Sequence, residues 1–190
     1  MTLTTSTLDA WLPDPEIRTR HHRCTAADPD TLWAAANSVR LDQTHTIGRL
    51  VRWRIPGLRP EQSFAGLLEN DPFIVLDAGE RYSISGLCGR IWTLARDYPL
   101  LGDPDAFRAW RAPRTVRVLF AHWVQPGPDG RSTLVSEARV APTDRVAAMR
   151  LRSLWLVVGP FERLIGAEPL ALAVAGAEAA GGLEDAAGAS

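Results

Sequence analysis

The stretch RVAPTDRVAAMRLRSLWLVVGPFERLI (Arg139–Ile165) decides how this chain is read. Its first residues have strand character and stop at Pro142-Thr143-Asp144, where Thr143 or Asp144 is a natural helix N-cap. With Arg145 at the origin of a helical wheel, Ala147, Leu151, Leu154, Val158, Phe161 and Ile165 fall close to one direction, and Trp155 lies on their flank. Arg145, Arg152 and Arg163 fall opposite. The stripe keeps its phase across Gly159-Pro160. One long C-terminal helix is therefore expected, bent at Pro160, where the ring removes a backbone hydrogen bond and crowds the preceding turn.

Such a helix needs an apolar surface to lie on. TVRVLFAHWVQP (residues 115–126) is the strongest strand in the chain, GPDG (Gly127–Gly130) is a hairpin turn, and RSTLVSEARVAP (residues 131–142) pairs back. Alternation puts Val116, Val118, Phe120, His122 and Val124 on the face expected to point inward. In RYSISGLCGRIW (residues 81–92), Tyr82, Ile84, Gly86, Cys88, Arg90 and Trp92 form one set, and Gly86 and Gly89 would permit a bulge or a sharp coil of the sheet. PFIVLDAGE adds a strand, and DPDAFRAWRAP reads as a weaker one. Upstream, EIRTRHHRC (Glu16–Cys24) is a first strand, and Asp28-Pro29 opens a helix through Leu32, Ala35, Ala36 and Val39. Short helices are expected in THTIGRLVRWRI, before Pro56-Gly57, and in FAGLLEND.

The predicted class is α+β: a strand, two helices, a run of antiparallel strands, then one long helix. Domain organisation follows as a loose tail over residues 1–9, one domain over 10–172, and a Gly/Ala-rich tail over 173–190 expected to be disordered. A curved antiparallel sheet around a helix is hard to fill with side chains alone, and the leftover space is where small molecules bind.

Composition narrows the function classes. The chain has 190 residues, 46% apolar and 23% charged, which suits one globular domain able to bury a core without staples. Its net charge of −1 gives no electrostatic case for nucleic acid or an anionic membrane. All 21 basic residues are arginine, so any polar ligand contact by a base would be forked. The first residues show no basic and apolar secretion signal, no run reaches the length of a membrane span, and a reducing cytoplasm is the expected compartment.

The element order and several segments resemble the helix-grip fold of the START-domain and polyketide cyclase-like (SRPBCC) superfamily, in an uncharacterised bacterial branch. LDAWLPDPEIRTRHHRCTAADPDTLWAAA is similar to its first strand and Asp-Pro-capped helix, GRLVRWRIPG to its second short helix, and GLCGRIW with LVSEARVAPTDRVAAMRLRSLWLVVGPFERLI to its later strands and final helix. The resemblance covers roughly residues 10 to 170. It implies a curved antiparallel sheet wrapped around the C-terminal helix. Members carry hydrophobic ligands or cyclise and dehydrate polyketides, and no universal catalytic residue exists to carry over.

The candidate ligand-binding residues are Tyr82, Cys88, Arg90, Trp92, Val118, Phe120, His122, Leu151, Trp155 and Val158. His122 is the candidate for proton transfer or ligand hydrogen bonding; the blander alternative is a satisfied core or rim histidine. Tyr82 is a candidate donor, against a core tyrosine whose hydroxyl reaches a strand edge. Arg90 is a candidate clamp for an acidic head group, against an arginine snorkelling to solvent. Glu137 and Arg139 share a strand face, and the more apolar companion face (Leu134, Ser136, Ala138, Val140) turns that pair outward as an exposed ion pair. His21, His22 and Cys24 lack a second pair of ligands at metal spacing, and no Gly-rich phosphate loop or nucleophile elbow occurs, so no metal and no cofactor is expected. The expected partner is a hydrophobic small molecule, lipid-like or aromatic, bound between sheet and helix. The alternatives are a cyclase or dehydratase using His122, and a structural or interaction protein without a ligand.

Overall fold

Five segments of alternating side-chain character pair into one antiparallel sheet: β1 (Ile17–Thr25), β2 (Ile74–Gly79), β3 (Tyr82–Gly89), β4 (Val116–Pro126) and β5 (Ser132–Pro142), in the spatial order β1-β5-β4-β3-β2. The α-helices laid out in full among the described residues are α1 (Thr5–Trp11), α2 (Pro29–Ser38), α3 (Phe64–Leu68), α4 (Pro104–Ala109), α5 (Arg145–Val158) and α6 (Glu162–Gly188). The computed structural model describes residues 3–45, 48, 59–93, 97–127, 129–159 and 162–188. The short helix expected in THTIGRLVRWRI and the bend expected at Pro160 lie largely outside the described residues.

The register assigns every strand side chain to a face. Ser83 pairs with His122, His122 with Ser136, and Ser136 with His21; one step along, Ser85, Phe120, Ala138 and Thr19 align. Val118 and Val140 share that face. Tyr82, Ile84 and Cys88 align with Trp123, Ala121 and Arg117 on the other face, together with Glu137 and Arg139.

Both faces are covered. On the first, α2 packs against β4 and β5, α5 against β5, and α6 against β1, β5 and α2. On the second, α4 meets β2 and β3, and Leu8, Trp11 and Leu12 join Ile84, Leu119, Ala121 and Trp123 in one buried cluster. The N-terminal segment is thus no loose tail. Leu3 and Leu8 are buried, and full burial of each leucine is worth about 1.5–3 kcal/mol, enough to hold a two-turn helix that is weak alone.

Helix starts follow side-chain chemistry. Asp28 accepts from the Asp30 and Thr31 amides at 2.9 and 3.0 Å, with Pro29 at the first helical position. Asp103 accepts from the Ala106 amide at 2.7 Å ahead of Pro104, so DPDAFRA is a helix and not the weak strand its composition suggested. Asp144 accepts from the Ala147 amide at 2.8 Å and fixes where α5 leaves the sheet.

Helix α5 runs to Val158 and α6 from Glu162, on either side of the segment where the bend is expected. The Gly/Ala-rich end is helical through Gly188 where composition suggested disorder. Ala173 and Ala177 are buried against α2, and a β-carbon added at Gly176 would lie 3.8 Å from Ala35 Cβ. Small side chains here let two helices approach closely instead of leaving the chain unpacked.

Candidate functional site

A cavity of about 250 Å3, partly open to solvent, lies between the first sheet face and helices α2, α3, α5 and α6. Its floor is Thr19 and His21 from β1, Phe120 and His122 from β4, and Leu134, Ser136 and Ala138 from β5. Its roof is Ala36, Phe64, Ala65 and Leu68, then Trp155 and Val158 from the end of α5, and Gly166, Pro169, Leu170 and Ala173 from α6. The small roof residues create the space: alanines and a glycine stand where a packed interface would carry leucines. At Gly166 a β-carbon would collide with the His21 ring as it stands, so glycine lets α6 pass close over that histidine.

Among the described residues, no Asp, Glu or Arg lines the cavity. Its polar groups are grouped on the floor, where His122, Ser136 and His21 stand in register on three adjacent strands. Adjacent strands are about 4.8 Å apart, so this polar row is about 10 Å long. A charged ligand group would find no counter-charge among the described residues, whereas a neutral hydroxyl or carbonyl would find partners.

His122 is the most perturbed group of the site. Its imidazole stacks on the Trp33 indole with ring centroids 5.1 Å apart and planes 23° apart, and it has no hydrogen-bond partner among the described residues. Burial lowers its pKa to about 4, so the ring is neutral at physiological pH. A neutral imidazole offers one donor and one acceptor, both available to a ligand. Ser85 Oγ, on the same sheet face, is buried without a hydrogen-bond partner among the described residues.

The ten sequence-derived candidates divide. Phe120, His122, Trp155 and Val158 line the cavity. Val118, Leu151 and Trp92 belong to a neighbouring cluster with Ile17, Val116 and Val140, which seals the cavity's flank through Trp155. Arg90 follows β3 and pairs with Asp97 at 3.2 Å. Tyr82 and Cys88 sit on the opposite sheet face, where the Tyr82 hydroxyl donates to Asp77 Oδ1 at 3.3 Å and burial pushes the Cys88 thiol up to about 12. The shared site expected for Tyr82, Cys88 and His122 is corrected on this point: the register with β4 sets them on different faces.

Glu137 and Arg139 are also corrected. They point away from the cavity, as their apolar companion face indicated, but α1 covers them and both are fully buried. Arg139 Nε lies 2.7 Å from Glu137 Oε1, and Arg139 Nη1 donates to Asp9 Oδ1 at 2.6 Å and to the Leu12 carbonyl at 3.0 Å. Residues missed in the sequence are Thr19, His21, Ser136 and Ala138 and the α2, α3 and α6 contributors. The signal for Ser136 and Ala138 was present, since they lie on the apolar companion face. Among the described residues, no three His, Cys, Asp or Glu side chains gather as a metal site, and no helix is long and apolar enough to cross a membrane.

No protein-family model matches the chain, and no curated protein matches it. A crystal structure of a hypothetical protein from Helicobacter pylori is similar with a TM-score of 0.38 and 7% identity, over 88% of this chain and 92% of that one. A protein from Thermus thermophilus is similar with a TM-score of 0.33 and 12% identity, over 86% of this chain and 99% of that one.

Proposed function

We propose that this protein binds an uncharged, largely apolar small molecule in the cavity between the sheet and its covering helices. The observation that carries this reading is the lining itself. Among the described residues, a cavity of about 250 Å3 has no Asp, Glu or Arg in its wall, and on its floor stands an imidazole without a hydrogen-bond partner. At the packing density of protein interiors, about 0.74, that volume holds on the order of a dozen non-hydrogen atoms, the size of a two-ring aromatic or a short branched hydrocarbon. One oxygen of the ligand meets the row formed by His122, Ser136 and His21. The roof supplies the apolar contact.

On this reading the fold is a variant of the helix grip of the START-like and polyketide cyclase-like proteins. An antiparallel sheet with C-terminal helices across one face and a cavity between them supports that assignment. The cyclase-type alternative draws less support. With its pKa at about 4, His122 is a weak base at neutral pH and is not protonated to the imidazolium that would serve as a general acid.

The test is uptake of the neutral two-ring fluorophore 2-naphthol, combined with native mass spectrometry of the freshly purified protein. Wild-type protein is expected to bind the dye or to carry a hydrophobic passenger. Ala138→Phe, which fills the floor, is expected to abolish uptake without lowering the melting temperature. Dye uptake unchanged in Ala138→Phe, or neither dye nor passenger bound by the wild type, overturns the proposal.

A further inference from the structure

Helix α5 has a second apolar stripe that the cavity does not use. Ala147 and Leu151 are buried against the sheet, yet Val146, Met149, Leu156 and Val157 on the outer side are 39%, 62%, 82% and 68% exposed. On a helical wheel these four fall within an arc of about 100°. Arg145 and Arg152 border one edge of that arc and Arg150 the other. Arg152 pairs with Glu16 at 2.6 Å, Arg150 lies over Trp92 at 5.9 Å, and Arg145 forms no ion pair among the described residues. The helix itself carries three arginines and no acidic residue. The overall charge of −1 conceals this local excess.

We propose that the outer face of α5 docks on an anionic lipid surface. An apolar stripe flanked on both sides by arginines is the arrangement of a helix lying in the plane of a bilayer interface, its apolar side chains in the acyl boundary and its guanidinium groups among the head groups. A second copy of this chain fits the face less well. A two-fold contact sets the same patch against itself and would bring the arginine borders of both copies together. The last turn of α5 gives the docking a purpose. Leu156 and Val157 point outward, while Trp155 and Val158 in the same turn line the cavity. Docking therefore brings a wall of the cavity to the bilayer, where an apolar molecule is concentrated.

The inference goes beyond ligand binding and is read separately from it, since vesicle association is measured without any ligand. The full chain is floated with vesicles of phosphatidylcholine alone and of phosphatidylcholine with phosphatidylglycerol in equal parts. Association with the anionic vesicles is expected, weakening with salt, and at least about tenfold weaker on the neutral ones. Met149→Ser with Leu156→Ser is expected to remove the association, and Arg145→Gln with Arg150→Gln to weaken it about tenfold or more. Both variants are expected to keep the wild-type melting temperature, because all four side chains are exposed. The proposal is overturned if the anionic vesicles do not retain the protein, or if the variants float like the wild type. It is also overturned if the serine variant merely turns a dimer seen by sedimentation velocity into a monomer.

Discussion

The imidazole of His122 lies nearly parallel to the indole of Trp33, with 5.1 Å between ring centroids. One ring comes from the middle of β4 and the other from α2, so this contact joins the floor of the cavity to one of its covering helices. The imidazole is half-buried there, and its desolvation lowers its proton affinity.

The pH dependence follows from that burial. The unfolded chain protonates His122 near pH 6.5 and the folded protein only near 4. Between those values the unfolded state takes up a proton that the native state refuses. Stability from this group is therefore fully present above pH 6.5 and declines as pH falls towards 4. Urea titrations at steps of pH are expected to show that slope and to lose it in His122→Gln. The His122 ring resonance is expected not to titrate between pH 7 and 5, and a midpoint near 6.5 would contradict the buried placement.

The pair beneath α1 sets a second expectation. Arg139 is bound by Glu137, by Asp9 and by the Leu12 carbonyl, while Arg18 supports Glu137 at 2.9 Å. Arg139→Met removes one partner of a buried pair and is expected to cost about 3–5 kcal/mol by urea unfolding. Replacing both, with Glu137→Leu and Arg139→Met, is expected to cost less than the single change, because Glu137 then no longer stays buried with only the half-exposed Arg18 and Arg20 beside it. Amide exchange in residues 3–12 is expected to accelerate in the single variant, since α1 loses its anchors. A double variant less stable than Arg139→Met would show that the pair contributes more than its desolvation costs.

How far the fold could be read depended on the range of the signal. Strand identities rest on alternation within a few residues, and β4, its GPDG turn and β5 were legible on that basis. Which face of β3 joins which face of β4 depends on pairing across the long connection between them, and no local pattern encodes it. Alternation alone groups Tyr82 and Cys88 with His122, whereas the pairing sets them on the other side of the sheet. Helix α4 was legible in principle, since Asp103-Pro104 repeats the signal of Asp28-Pro29, but its apolar content favoured a strand. The cavity is the least local feature of all. It arises from alanines and a glycine on three helices, each ordinary alone, and in sequence the Ala-rich C-terminal segment reads as disorder, not as close helix packing.

Gly86 tests the opposite-face assignment. A β-carbon there would lie 2.7 Å from Phe107 Cδ2 and 2.9 Å from Leu76 Cδ1, inside the cluster under α4. Gly86→Ala is expected to cost about 1–3 kcal/mol through overpacking, and Phe107→Leu to recover part of it. Dye uptake is expected to stay near wild type in Gly86→Ala at temperatures where it is folded, because Gly86 and the cavity are on different faces. Loss of uptake in a folded Gly86→Ala protein would place them together.

The two cysteines give the same distinction by chemistry. Cys24 is exposed on β1, with its Sγ 3.3 Å from Thr133 Oγ1, whereas Cys88 is fully buried and its thiol is pushed up to about 12. The thiolate is the reactive form, so at pH 8 Cys88 is both shielded and almost wholly protonated. Native protein is expected to release one equivalent of thionitrobenzoate quickly from a disulfide reagent, and the second only as the structure opens. The slow phase then measures opening of the face under α1 and α4. It is expected to accelerate in Arg139→Met and Gly86→Ala, which loosen that face. Two fast thiols in the native wild type would mean that Cys88 is not covered by those helices.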